Sequence, residues 1–248
     1  MADASALATV LACMMFIGCG AGTFSIEPNL QSTPPSLATP TPYPENRAGG
    51  KEAKMDIEEL AKKIERTDPT TASLIRAKGK RNEQMATPFL QKGAIFRVQA
   101  DLPTRPVIFY IGCPGEGDCT VLNGDDGKFT GFVGRAGLSL ISSSDRLEYV
   151  RLYLAAVAAP AGALTILDDI GGIRRRPNLS DADNARFDEI QKKFSRVVVP
   201  PKCSGTICTL FTVKGRDLVR FDADVASDGS VSIKENVLES GLPIPYAM

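Results

Sequence analysis

Residues 207–233 read ICTLFTVKGRDLVRFDADVASDGSVSI, and this stretch decides the fold. Ile207, Thr209, Phe211 and Val213 alternate with other residues until Lys214-Gly215-Arg216 turns the chain. Val219, Phe221, Ala223 and Val225 then alternate with Arg220, Asp222 and Asp224, Ser227-Asp228-Gly229 turns it again, and Val231 and Ile233 follow. Alternation of period two, broken by glycine-bearing turns, predicts a three-stranded antiparallel meander. One face of it is apolar and one polar, so helices are expected on the first and solvent or a ligand on the second.

Outward from there, Ser180 is placed to cap a helix running through Phe187, Ile190 and Phe194. Leu164 to Leu167 reads as a short strand, and Arg174-Arg175-Arg176-Pro177 as a loop. Before it, Leu147, Val150, Leu154 and Val157 repeat at helical spacing behind Ser144-Asp145, with Asp145 and Glu148 as the expected capping pair and Tyr149 and Tyr153 flanking. Short strands are expected at Ile95–Val98, Val107–Ile111, Thr120–Leu122, Phe129–Val133 and Leu138–Ile141, with turns at Asn123-Gly124 and Asp126-Gly127. Two helices precede them. One runs from Asp56 to Arg66 with Glu58–Lys62 and Glu59–Lys63 ion pairs, and a basic one opens at Pro69 and runs to about Ala86. Such closely spaced strands with helices before and between them give an α+β fold: an antiparallel meander sheet with helices packed on one face.

The whole chain has 248 residues, with 29 Lys plus Arg against 29 Asp plus Glu, so net charge gives no reason to expect nucleic acid. Histidine is absent, which removes the commonest general base and metal ligand and every Ser-His or Cys-His pair. No Gly-Lys phosphate loop, Gly-x-Ser-x-Gly elbow, Ser-x-x-Lys or dinucleotide fingerprint occurs. No cofactor and no metal are expected. Of the six cysteines, Cys113, Cys119, Cys203 and Cys208 fall in the region expected to fold. Four cysteines permit three connectivities. Two local bridges, Cys113–Cys119 and Cys203–Cys208, are favoured because each pair brackets turn residues; cross-connection or a four-cysteine zinc site are the alternatives.

Residues 6–19 read ALATVLACMMFIGC, an uncharged run of signal-peptide length and too short for a membrane span. Its end, Phe16-Ile17-Gly18-Cys19-Gly20, resembles the lipobox of bacterial lipoprotein precursors. The resemblance implies cleavage after Gly18, acylation of Cys19, and a membrane partner through that lipid anchor. Gly20 is not the aspartate that the Gram-negative pattern uses for inner-membrane retention, so the outer membrane, where there is one, is the implied destination. An ordinary signal peptide cut near Ala21 or Gly22, or an uncleaved anchor, fits the same apolar run. The expected organisation is a signal peptide at 1–18, a proline-rich disordered tether at 19–53, a helical segment at 54–90 and the α+β domain at 91–248.

Three groups of side chains are candidates for chemistry. Arg174, Arg175 and Arg176 could hold an anion. Asp222 and Asp224 point the same way along one strand and could act as a carboxylate pair. Asn123, Asp125 and Asp126 look superficially like a calcium loop, but turn chemistry accounts for them better. The expectation that follows is a non-enzymatic envelope lipoprotein binding a protein or cell-wall glycan partner; the alternative is a carboxylate-dependent envelope enzyme acting on glycan.

Overall fold

The computed structural model describes residues 55–103, 106–158 and 164–244. The targeting stretch, Cys19 and the proline-rich tether lie outside them. The described residues form one compact unit. Its fold is α+β with antiparallel sheets.

Asp56 opens α1 (Ile57–Ile64) by accepting the Glu59 N–H at 2.8 Å, and Asp68 opens α2 (Pro69–Lys78) by accepting from Thr71. These caps satisfy amides that have no partner within the helix. Arg76 clips the two helices together, reaching Glu58 at 2.9 Å and both carboxylate oxygens of Glu65. Glu58 therefore turns to the neighbouring helix in place of the Lys62 partner expected within its own.

The basic helix expected to run to Ala86 stops at Lys78. Gly79–Gln84 is an edge strand, β1, paired antiparallel to β2 (Ala94–Asp101). Its polar side chains suit an edge: Glu83 meets Arg97 across the ladder at 3.8 Å, and Asn82 donates to the Met55 carbonyl at 2.7 Å. The segments 54–90 and 91–248 thus share one sheet, completed by β3 (Pro106–Cys113) and β4 (Thr120–Val121). That sheet is covered on both faces, which explains the unbroken apolar run Val107–Ile111. Phe96, Val98 and Ile111 pack against Leu60, Ile64 and Ile75, while Ile95 and Tyr110 face the opposite way into a larger core.

Phe129–Val133 is helix and not strand. Asp125 caps α3 (Asp126–Ala136), whose buried residues Phe129, Phe132, Val133 and Ala136 recur at i, i+3, i+4 and i+7. Where α3 crosses β3, an added Cβ on Gly112 would stand 2.7 Å from the Phe132 ring, so glycine lets the helix lie close. Leu138–Ile141 forms no strand either; Leu138 makes only an isolated bridge to Leu90. The next helix, α4 (Ser143–Tyr153), has a capping box made by Ser142 and Asp145. It starts before the Asp145–Glu148 pair expected to cap it. A π-helical turn, Leu154–Ala158, continues it.

The second sheet has the order β5 (Thr165–Leu167), β7 (Ile207–Lys214), β8 (Asp217–Val225), β9 (Val231–Glu239), with β6 (Lys202–Ser204) also on β7. Cys208, Leu210, Val219, Phe221 and Ala223 face α4 in the largest core. Ser180 caps α5 (Asp181–Phe194), whose Phe187, Ile190 and Phe194 pack on Phe211, Val213 and Leu218. The inward row of β7 toward α4 is therefore the Cys208 row, one residue out of phase with the alternation read from Ile207. Cys113 is bonded to Cys119 and Cys203 to Cys208. Among the described residues, no helix is long and apolar enough to cross a membrane.

Candidate functional site

The register of the meander sets Thr209, Asp222 and Lys234 side by side, with Ile207, Asp224 and Ser232 in the next row. Asp222 and Asp224 thus share a face, as their spacing requires. The two carboxyls differ in surroundings. Asp224 is exposed, whereas Asp222 accepts the Thr209 hydroxyl at 2.7 Å and two Arg220 N–H groups at 3.0 and 2.9 Å. Burial alone would raise the pKa of Asp222, but these hydrogen bonds and the positive charges of Arg220 and Lys234 hold it below the usual carboxylate value. A carboxyl that must donate a proton to a glycosidic oxygen needs the opposite shift.

Arg175 is committed to α5. Its guanidinium donates to Asn184 and Asp188 and lies 4.6 Å from the centre of the Phe187 ring. Arg174 and Arg176 stay exposed beside it. Asn123, Asp125 and Asp126 each have a structural role. Asn123 bonds the Tyr110 N–H and the Ile108 carbonyl, continuing the ladder past β4. Asp125 caps α3, and the Lys128 amide it accepts holds its carboxyl below the ordinary value. Asp126 accepts the Tyr153 hydroxyl at 2.9 Å. Among the described residues no cluster of three or more Cys, Asp or Glu could hold a metal.

A cleft that the sequence did not announce lies between the start of α4 and the ends of β7 and β8. It is a half-open cleft of about 250 Å³, lined by Leu138, Leu140, Arg146, Thr206, Val225, Ala226 and Ser227. Four separate segments build it. The loop before α4 brings Leu138 and Leu140, the first turns of α4 bring Arg146, the β6–β7 turn brings Thr206, and the end of β8 brings Val225 to Ser227. The backbone fixes two of these segments to each other, because the Val225 N–H donates to the Thr206 carbonyl at 3.0 Å.

Arg146 is the only charged residue in that lining. Its Nη1 donates to the Gly205 carbonyl at 2.8 Å, which ties α4 to the β6–β7 turn. Its Nε is buried with no acceptor. No carboxylate among the described residues forms an ion pair with it. The nearby acids are occupied elsewhere: Asp145 accepts the Ser142 N–H at 2.9 Å, and Asp228 accepts the Ser230 amide and hydroxyl, which hold it below the ordinary carboxylate value. A buried guanidinium nitrogen without an acceptor costs about 1–3 kcal/mol or more.

No protein-family model, curated protein or solved structure matches the chain. Its function is therefore read from its own residues.

Proposed function

We propose that the chain is an exported lipoprotein, anchored to the cell envelope through acyl chains on Cys19, and that its folded unit is a non-enzymatic binding module for a protein or cell-wall partner. The observation that carries this reading is the state of the cysteines. All four in the described residues are paired in two local bridges, a usage typical of oxidising, exported compartments. Export in turn favours the signal-peptide reading of residues 6–19 and leaves Cys19 for the lipid that the lipobox resemblance implies. Two or three acyl chains anchor a protein stably where one does not. The binding role draws on the cleft at Arg146 and on the open part of the polar sheet face around Thr209, Asp222 and Lys234.

The experiment is intact mass of the protein purified from its own membranes, before and after reduction, beside a Cys19→Ala variant. The expected result is a chain beginning at Cys19, heavier by its acyl groups, that gains two hydrogens per bridge on reduction. The Cys19→Ala form is expected to lack the acyl mass and to leave the membrane fraction. An unprocessed chain starting at Met1 with four reduced thiols would overturn both the location and the module reading built on it.

A further inference from the structure

We infer that the cleft at Arg146 is a binding site for a carboxylate carried on a short apolar group. The guanidinium takes the charge, and the half-buried Leu138 and Leu140 take the apolar part. Three observations converge on this ligand class. The first is an unpaired cation: Arg146 spends one donor on Gly205, leaves Nε buried without an acceptor, and has no carboxylate partner among the described residues. Arginine and carboxylate match in charge and in geometry, since two parallel N–H groups meet two oxygens.

The second is the character of the walls. A phosphate presents polar oxygens on every side, and one guanidinium with two rim hydroxyls beside leucine walls would leave several of them against apolar groups. A carboxylate has a single polar end, which fits one arginine, and a remainder that gains from burial on apolar side chains. The exposed Thr206 and Ser227 supply hydroxyls at the rim. The third is size. About 250 Å³ lies under the usual range for drug-sized ligands and suits a few methylenes or one side chain. Two sources offer this chemistry: a free short-chain acid, and the C-terminal residue of a peptide with an apolar side chain.

The inference deepens the binding-module reading and rests on it only in taking the site to bind without turnover. The mass experiment reads the anchor and the present one reads the cleft, so either can fail alone. The test titrates the full-length, isotope-labelled protein in detergent with hexanoate, N-acetyl-leucine and the uncharged hexanamide, following backbone amide resonances. Both carboxylates, or one of them, are expected to shift the Thr206, Ala226 and Ser227 amides with dissociation constants of about a millimolar or tighter. Hexanamide is expected to bind at least about tenfold more weakly. Tighter binding of N-acetyl-leucine identifies a chain end, and tighter binding of hexanoate a free acid.

Arg146→Gln keeps a donor for Gly205 and removes the charge, so it is expected to weaken both carboxylates by about tenfold or more. Ala226→Met fills the cleft and leaves the arginine in place, and it is expected to abolish the shifts, so the test survives if the arginine variant does not fold. No shift at these amides with either carboxylate up to about 10 mM would overturn the inference. Equal binding of hexanamide, or carboxylate binding unchanged in both variants, would do the same.

Discussion

Tyr149 shows how much one side chain holds in place. It is fully buried on α4, its ring 5.3 Å from Phe89 and 5.6 Å from Phe129, and its hydroxyl donates to the carbonyl of Gly229 in the β8–β9 turn. Burial, with the charges of Asp126 and Asp228 adding to it, pushes the phenol well above its ordinary pKa, so it remains a donor. Tyr149→Phe keeps the ring and strands the buried Gly229 carbonyl, which is expected to cost about 1–3 kcal/mol in a denaturant titration. Asp222 makes a different case, because its contribution depends on pH. Its folded pKa lies below the ordinary 3.8, so the stability it adds is present above 3.8 and is lost as pH falls through the lower folded value. Asp222→Asn is expected to lose on the order of 1 kcal/mol at pH 7, discounted for its partial exposure. The gap between variant and native protein should narrow below pH 3.8, and denaturant midpoints across that range decide it. A gap that stays constant with pH would mean the carboxylate charge is not what matters.

At the scale of elements, the β6–β7 hairpin joins the sheet to the cleft. Cys203 and Cys208 are directly paired across it, and the Gly205 carbonyl in its turn holds Arg146. A bridge closing so short a loop is worth about 2 kcal/mol. Replacing both cysteines by serine is expected to lower stability by about that much and to increase hydrogen exchange of the 203–208 amides. The same loosening should reach Arg146, seen as broadening of its side-chain resonances; a sharp, unshifted Arg146 signal would show that the hairpin does not position it. The meander, α5 and α1 were legible in the sequence because each carries its own periodicity, with turn residues in the meander and a cap at Ser180 for α5. Three elements differ from the sequence reading, Leu138–Ile141 among them as a loop with one bridge, and for the other two the reasons can be named. In α3, Gly127, Gly131 and Gly134 weaken the helical signal and the aromatic Phe129 and Phe132 mimic a strand, although the 129/132/133/136 spacing was there to be counted. In β1, Lys80, Arg81 and Glu83 look like a solvated helix face because an edge strand needs no apolar row. The local disulfides are the pairing that the bracketed turn residues favoured over cross-connection or a zinc site. The cleft had no such signal, since Arg146 becomes unusual only when the Leu138 loop, the Thr206 turn and the end of β8 converge on it.

For the molecule as a whole, what matters is how its cores are joined. One apolar cluster gathers Leu60, Ile64 and Ile75 under the first sheet, and another gathers Phe187, Ile190 and Phe194 on the second. Between them lies the largest, which takes Ile95 and Tyr110 from the first sheet, Leu122 from just after β4, Phe129 and Phe132 from α3, Tyr149 and Leu154 from α4 and its π-helical turn, and Leu210, Val219 and Phe221 from the second sheet. The two helices of this middle layer are locked by aromatic contacts, with Phe129 against Tyr149 and Tyr153, and by the Tyr153–Asp126 hydrogen bond. Neither sheet can leave without exposing apolar surface of the middle core that both sheets share. The expected outcome is a single cooperative unfolding transition. Because the chain has no tryptophan, far-UV dichroism and tyrosine absorbance are the two probes. Tyr110 lies on the first sheet and Tyr149 and Tyr153 on α4, so the absorbance reports on the middle core and the dichroism on all the helices and strands. Coincident midpoints, with equal calorimetric and van't Hoff enthalpies, would show that the middle core couples the sheets. Two separated transitions would mean that each sheet with its outer helices is stable alone, and the cleft at Arg146 would then be expected to keep its α4 and second-sheet walls and to loosen at the Leu138–Leu140 loop, which Phe89 and Leu90 hold.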